Sequence, residues 1–305
     1  MHMMFVLLVI ALGGRFGTSK QLWFWSMLPR PLRASNANRA WQGLVIEIKH
    51  FTRYAAIAYC NHNERRASNR NSKMLDRNSV LRGEISDKET GTHALLYVNF
   101  ASEEIIVAFR GSDSIAKFLY AYLSSTAAFP GVKGAWVHAD TLRFANSIRH
   151  ETASYIAKYR LRFPKYRVVL VGHSLGGSLA TIMSTMVAAD LCMEPHAMRV
   201  ITYGQLRVGN RVFAEHYNRL GFNYSRVVNK QDPAANHPSF DDGWAHVHQE
   251  VYIDQADNFF LCSNRTLEDP QCSHKMSRAL AIFTDHEYVA GIKISPRGCG
   301  WLDII

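Results

Sequence analysis

The stretch VVLVGHSLGGSLA, residues 168–180, constrains this chain more than any other. Val168, Val169, Leu170 and Val171 are four consecutive branched apolar residues, a pattern that suits a strand buried on both faces of a parallel sheet. After Gly177 the chain reads SLATIMSTMVAA, apolar around much of its circumference, which predicts a buried helix. Between them stands Ser174, flanked by Gly172 and Gly176. Gly-x-Ser-x-Gly alone arises by chance, and glycines mark turns anywhere. A buried strand entering the motif and a buried helix leaving it are more demanding. Together they predict a sharp turn that holds the serine proud of the sheet, the glycines letting strand and helix pack closely. Ser174 is the candidate nucleophile.

Other segments fit around this unit. Residues 44–60 place apolar side chains at helical spacing, and residues 61–90, led by NERRASNRNSK, read as an irregular polar excursion. Residues 93–100 and 104–110 predict a hairpin. A helix is expected over 139–161, a strand over 198–203, a helix over 212–220, a strand over 224–229 and an edge strand over 249–254. Strands alternating with helices predict an α/β fold with a mostly parallel central sheet and helices on both faces. Ligands then belong at the carboxyl ends of the strands, where Ser174 lies.

With 305 residues, 48% of them hydrophobic, the chain can bury a large core. A net charge of +10 would suit an anionic partner. Lys and Arg are nevertheless spread along the chain without a dense cluster among aromatics, so the expectation is a solvated basic surface, weakly drawn to anionic lipid at most, and no nucleic-acid partner. The apolar run at 3–12 falls short of the roughly 20 residues that span a bilayer. It suits the core of a signal peptide, so residues 1–13 are expected to be a leader and no transmembrane span is expected. Residues 14–43 mix basic, aromatic and proline residues without a period and read as a pro-segment or N-terminal arm, leaving 44–305 as the catalytic domain. Sequons at Asn223-Tyr-Ser225 and Asn264-Arg-Thr266 agree with an extracellular destination. Five cysteines allow at most two disulfides and one free thiol. Cys262 and Cys272 bracket a polar loop suited to a staple, and Cys192, ending an apolar helix, is the expected buried free thiol.

A serine hydroxyl attacks poorly until a base takes its proton and a third group orients that base. In chains with a turn of this kind, the acid and then the histidine follow the serine. Asp232 in RVVNKQDP falls at the carboxyl end of a strand that Pro233 stops, although Asp-Pro also suits an ordinary turn. Asp190, Asp254 and Asp257 lack that placement. Of the histidines beyond, His286 in FTDHEYVAG lies after the last strand on a segment free to fold over the site, with His246 as its rival. The histidines lack the paired helical spacing of a zinc site, so neither metal nor cofactor is expected.

VGHSLGGSLA, TYGQLRVGN, RVVNKQDP, HVHQEVYID and DHEYV, with FRGSDSI at 109–115, follow one another in a familiar order. On these motifs the chain resembles the secreted fungal triacylglycerol lipases, the class 3 lipases, over about residues 44–300. The resemblance implies an α/β-hydrolase fold with a short helical lid. It also implies a secreted enzyme that cleaves acylglycerol esters through an acyl-enzyme at a lipid–water interface. It assigns Ser174 as nucleophile, Asp232 as orienting acid, His286 as base, and the N–H groups of Ser112 and Leu175 as the oxyanion hole. It implies the disulfides Cys60–Cys299 and Cys262–Cys272. It places the lid at SIAKFLYAYLSS, residues 114–125, where Ile115, Phe118 and Leu119 recur at helical spacing as one apolar face.

The chain departs from the family at several positions. Leu206 replaces a proline and Asp140-Thr141 a Gly-Phe pair; Phe118 stands where tryptophan is frequent and Ala121 where a lid aspartate is expected. Within the fold, a feruloyl-type esterase of polar esters and a phospholipase A1 are rival readings. A catalytically silent binding protein is a rival of another class, which the intact Ser, Asp and His set opposes.

Overall fold

In the computed structural model the run leading to Ser174 becomes the middle of a large sheet. The structure describes residues 39–61, 63, 65, 75–113, 125–275, 282–295 and 299. Eight strands hydrogen-bond in chain order: β1 (Ser79–Ser86), β2 (His93–Asn99), β3 (Glu104–Phe109), β6 (Arg167–His173), β7 (Met198–Tyr203), β9 (Asn223–Asn229), β11 (Glu250–Ile253) and β12 (Phe259–Leu261). The pairings from β3 through β11 are parallel. Antiparallel pairings flank them at both ends. A smaller sheet joins β4 (Thr126–Ala128), β5 (Trp136–His138), β8 (Gly209–Asn210) and β10 (Trp244–Ala245), and β13 (Tyr288–Val289) pairs with β14 (Ile292–Lys293). The helices are α1 (Arg39–Ile57), α2 (Ala139–Arg162), α3 (Leu175–Asp190), α4 (Arg211–Leu220) and α5 (Phe283–Glu287).

Side chains of β6 alternate between two cores. Val168 and Leu170 pack with Ile148 of α2, Leu179 and Met183 of α3 and Phe213 of α4. Val169 and Val171 face the other way, against Ile48, Phe51 and Tyr54 of α1. Each such side chain contributes about 1.5–3 kcal/mol on full burial, which makes this run the natural centre of the sheet. Helices therefore cover both faces, as the alternation of elements predicts. α1 is also held by charge: Glu47 accepts from Arg199 at 2.8 Å and from Arg167 at 2.9 Å, bridging the helix to β7 and β6.

Several sequence expectations need correction. α1 begins at Arg39, inside the expected arm, because Trp41 is buried and extends the apolar face back by a turn. The excursion at 61–90 contains β1, whose register shifts between Leu81 and Gly83 and so breaks the period-2 pattern that would reveal it. β11 is not an edge strand, since the three-residue β12 pairs outside it. Cys192 is exposed, not buried: α3 ends at Asp190, Cys192 takes φ 47°, and Met193 is buried instead. The disulfides are Cys60–Cys299 and Cys262–Cys272. The expected leader, the arm up to residue 38, and lid residues Ile115, Phe118 and Leu119 lie outside the described residues. Among the described residues no helix is long and apolar enough to cross a membrane.

Candidate active site

β6 ends at His173 and α3 begins at Leu175, leaving Ser174 alone to make the turn. It does so at φ 58°, ψ −126°, a conformation that costs on the order of 1–3 kcal/mol and persists only where the surroundings impose it. They do so here. The Ser174 N–H donates to the Tyr203 carbonyl at 2.9 Å, and the Ser174 carbonyl accepts from the Gly177 N–H at 3.0 Å. A Cβ on Gly172 would strike the Gly176 carbonyl, and one on Gly176 would strike the Phe109 carbonyl. Glycine at both positions is what lets α3 cross β6 and β3 at this distance.

The candidate acid and base come from beyond β9, two strands away from β6. Asp232 follows β9 and is fully buried. Its Oδ1 accepts from the Ala234 N–H at 2.8 Å and from Nδ1–H of His286, also at 2.8 Å. His286 lies on α5, and the end of β9 holds that short helix in place. The Asn229 amide donates to the carbonyls of Asp285 at 3.0 Å and Tyr288 at 2.6 Å, and the Gln231 N–H donates to Asp285 Oδ2 at 3.1 Å. With its proton on Nδ1, His286 keeps the Nε2 lone pair free as a base. Ser174 Oγ and His286 Nε2 are both buried without a hydrogen-bond partner. Bonds between nucleophile and base are often open before substrate binds and tighten in the reacting complex.

Gly204 completes the pair. At φ +51° it passes so close that a Cβ would lie 2.5 Å from Asp232 Oδ2 and 2.8 Å from His286 Nδ1. Gly204→Ala is therefore expected to push the acid and base apart, lowering kcat about 100-fold as reacting groups lose their geometry. The left-handed backbone adds a stability cost of about 1–2 kcal/mol. Kinetics on a soluble ester with a thermal melt check both; unchanged kcat would show that the Asp–His spacing does not matter.

The other candidates find unrelated partners. Asp190 pairs with Arg149, Asp257 with Lys230, and Asp254 closes its own turn through the Ala256 N–H. His246 bonds the Ala235 carbonyl at 2.7 Å, His248 lies 3.1 Å from the Thr266 carbonyl, and His274 faces Glu268. Among the described histidines, only His286 meets the Asp232 carboxylate. Glu250, Cys262 and Cys272 come close enough to hold a metal ion, but the two sulfurs are bonded to each other and offer no thiolate.

Ser112, three residues beyond β3, and Leu175, the first residue of α3, line one groove of about 360 Å³. The Leu175 N–H has no acceptor within its own helix, as at any helix start. Arg110, Asp113, Asp140 and Phe144 line the same groove, giving it charged walls. The sequence reading named Ser174, Asp232 and His286, and through the family resemblance Ser112 and Leu175, but it did not name Gly204 or Asn229. Their roles depend on which strand ends adjoin, and local pattern does not show that.

The chain matches the family described as Lipase (class 3) over residues 106–241. It is 28% identical to a lipase of Rhizomucor miehei over 207 residues, 66% of this chain and 56% of that protein. It is 26% identical to the secreted mono- and diacylglycerol lipase 1 of Fusarium solani, over 68% of this chain and 62% of the relative. The chain thus spans less than two thirds of these relatives' own length. In three dimensions it resembles the triacylglyceride lipase of Rhizomucor miehei with a TM-score of 0.78 at 22% identity, covering 88% of this chain and 99% of the other. It resembles the lipase of Rhizopus microsporus var. chinensis with a TM-score of 0.75 at 26% identity, covering 86% and 91%. The matched stretch carries Ser174 and Asp232. Over residues 106–241 the chain is similar to the class 3 lipases, and its fold is that of the fungal lipases.

Proposed function

We propose that this chain is a secreted serine lipase that hydrolyses acylglycerol esters at a lipid–water interface. The observation that carries the reading is the buried His286–Asp232 pair, 2.8 Å apart, at the same carboxyl end of the parallel strands as the Ser174 turn. In this reading Ser174 attacks the ester carbonyl while His286 Nε2 takes its proton, and Asp232 stabilises the imidazolium that forms. The Ser112 and Leu175 amides receive the oxyanion, each worth roughly 3 kcal/mol in the transition state. Collapse of the tetrahedral intermediate expels the alcohol, protonated by His286. Water then cleaves the acyl-enzyme by the same route. No step draws on a metal or cofactor. Secretion is supported by the two disulfides, which persist in oxidising compartments. It is also supported by the Fusarium relative, which is named a secreted lipase.

The preference for an interface rests on access. Ser174 is only 1% exposed, so substrate reaches it only after its surroundings rearrange. In the sequence, Ile115, Phe118 and Leu119 recur at the helical spacing expected of a lid's apolar face. Exposing a few hundred Å² of such surface to water costs several kcal/mol at about 25 cal/mol per Å², and a lipid surface removes that cost. A related fungal lipase–inhibitor complex carries a model for interfacial activation. The rate on tributyrin is therefore expected to rise sharply once droplets form, and Phe118→Asp should flatten the rise while sparing soluble esters. Smooth saturation through the solubility limit would favour the second reading, an esterase of polar esters. The charged walls that Arg110, Asp113 and Asp140 give the groove support that reading, and turnover of methyl ferulate tests it.

A further inference from the structure

Two buried residues beside the turn have polar atoms that the triad chemistry does not use. His173 ends β6 next to Ser174, and Tyr59 lies just past α1. His173 Nε2 is 2.8 Å from the backbone carbonyl of His286. A carbonyl only accepts, so Nε2 carries the proton. Burial drives His173 well below the usual histidine range, and the adjoining His286 ring, 4.4 Å away between centroids, pushes the same way. His173 is thus neutral, and its Nδ1 accepts the Tyr59 hydroxyl proton at 2.9 Å. The Tyr59 oxygen also receives the backbone N–H of Gly111, the residue before Ser112. A Cβ on Gly111 would strike that hydroxyl and come within 2.5 Å of the His173 carbonyl.

We infer that Tyr59 and His173 are a positioning relay that ties the oxyanion loop at Gly111 to the backbone of His286. This inference rests on the serine-hydrolase reading of the same site. The bonds run in one direction, from Gly111 N–H to Tyr59, from Tyr59 O–H to His173, and from His173 N–H to the His286 carbonyl. Donors aligned this way in a low dielectric strengthen one another. The relay ties the loop that carries the Ser112 oxyanion donor to the segment that carries the base, although 113 residues separate His173 from His286. It also needs His173 uncharged, since an imidazolium there would oppose the one formed on His286. Neither residue touches the reacting atoms. Flanking structure fixes the ends: Cys60, beside Tyr59, is bonded to Cys299 beyond α5.

Tyr59→Phe keeps the ring and removes only the hydroxyl. Its kcat on a soluble nitrophenyl butyrate is expected to fall about 10-fold with KM within about twofold of wild type, the pattern of lost geometry without lost binding. In a His173→Gln background, the glutamine amide still donates to the His286 carbonyl but offers nothing at the Nδ1 position. There the Tyr59 substitution should change kcat by less than about twofold, because residues acting as one unit are not additive. A Tyr59→Phe enzyme with wild-type kcat overturns the relay, as does an equal loss in both backgrounds. If Tyr59→Phe does not melt cooperatively, His173→Leu is compared with His173→Gln: a kcat about 10-fold lower for leucine supports the relay, and equal values overturn it. Labelling by a serine-reactive organophosphonate separates the two claims. Unlabelled wild-type protein removes the enzyme reading and the relay with it. Labelled wild type with an unaffected Tyr59→Phe variant removes the relay alone.

Discussion

Ser174→Ala is expected to lower turnover of any ester substrate on the order of 10⁶-fold while leaving the fold intact. In the proposed mechanism the Ser174 hydroxyl is the group that bonds covalently to substrate. Its removal breaks no hydrogen bond, since Ser174 Oγ has no partner in the free protein. The strained backbone is imposed by Tyr203, Gly172 and Gly176, which the substitution does not touch. A melting temperature within about 2 °C of wild type, together with kcat measured on tributyrin and on a soluble ester, checks both halves. Residual activity well above that of the oxyanion hole alone would mean that another residue is the nucleophile.

Asp232→Asn is expected to lower kcat about 10⁴-fold. Asp232 Oδ1 receives two donors, the Ala234 N–H and His286 Nδ1–H. If the asparagine amide turns its oxygen to them, the geometry survives, but the negative charge that stabilises the imidazolium is gone. If it turns its NH₂ to them, the imidazole proton must move to Nε2, where it blocks proton transfer from Ser174. Both orientations fail in the same step, so KM should change little while kcat collapses. Activity within about 10-fold of wild type would show that His286 needs no charged partner and would transfer the orienting role elsewhere.

How far the site could be read from sequence differs residue by residue. Ser174 was legible because strand, turn and helix are all local, each encoded within a few residues of the serine. Asp232 needed one further inference, that a valine strand stopped by Pro233 places the acid at the strand's carboxyl end. Pattern alone favours His286 only modestly over His246, because a lone histidine is more often structural. The structure brings His286 to Asp232 and sends His246 to the Ala235 carbonyl.

The sequence by itself determined the strands and helices whose periods are long enough to read, the parallel centre of the sheet, and the position of Ser174 at the end of its middle strand. Tertiary structure alone decided the rest. The short strands of the second sheet, of two or three residues each, carry no period at all. Cys192 looks apolar in sequence, yet the chain leaves α3 just before it and turns it outward. Tyr59 reads as one more core aromatic until its hydroxyl is found between Gly111 and His173. Gly204 reads as a turn glycine until the acid and the base are seen packed against it. The physical reason is common to all four. Periodicity reports only which side of an element is apolar, whereas a hydrogen bond or a close approach between strand ends depends on which elements become neighbours, and that is settled by packing the whole core at once.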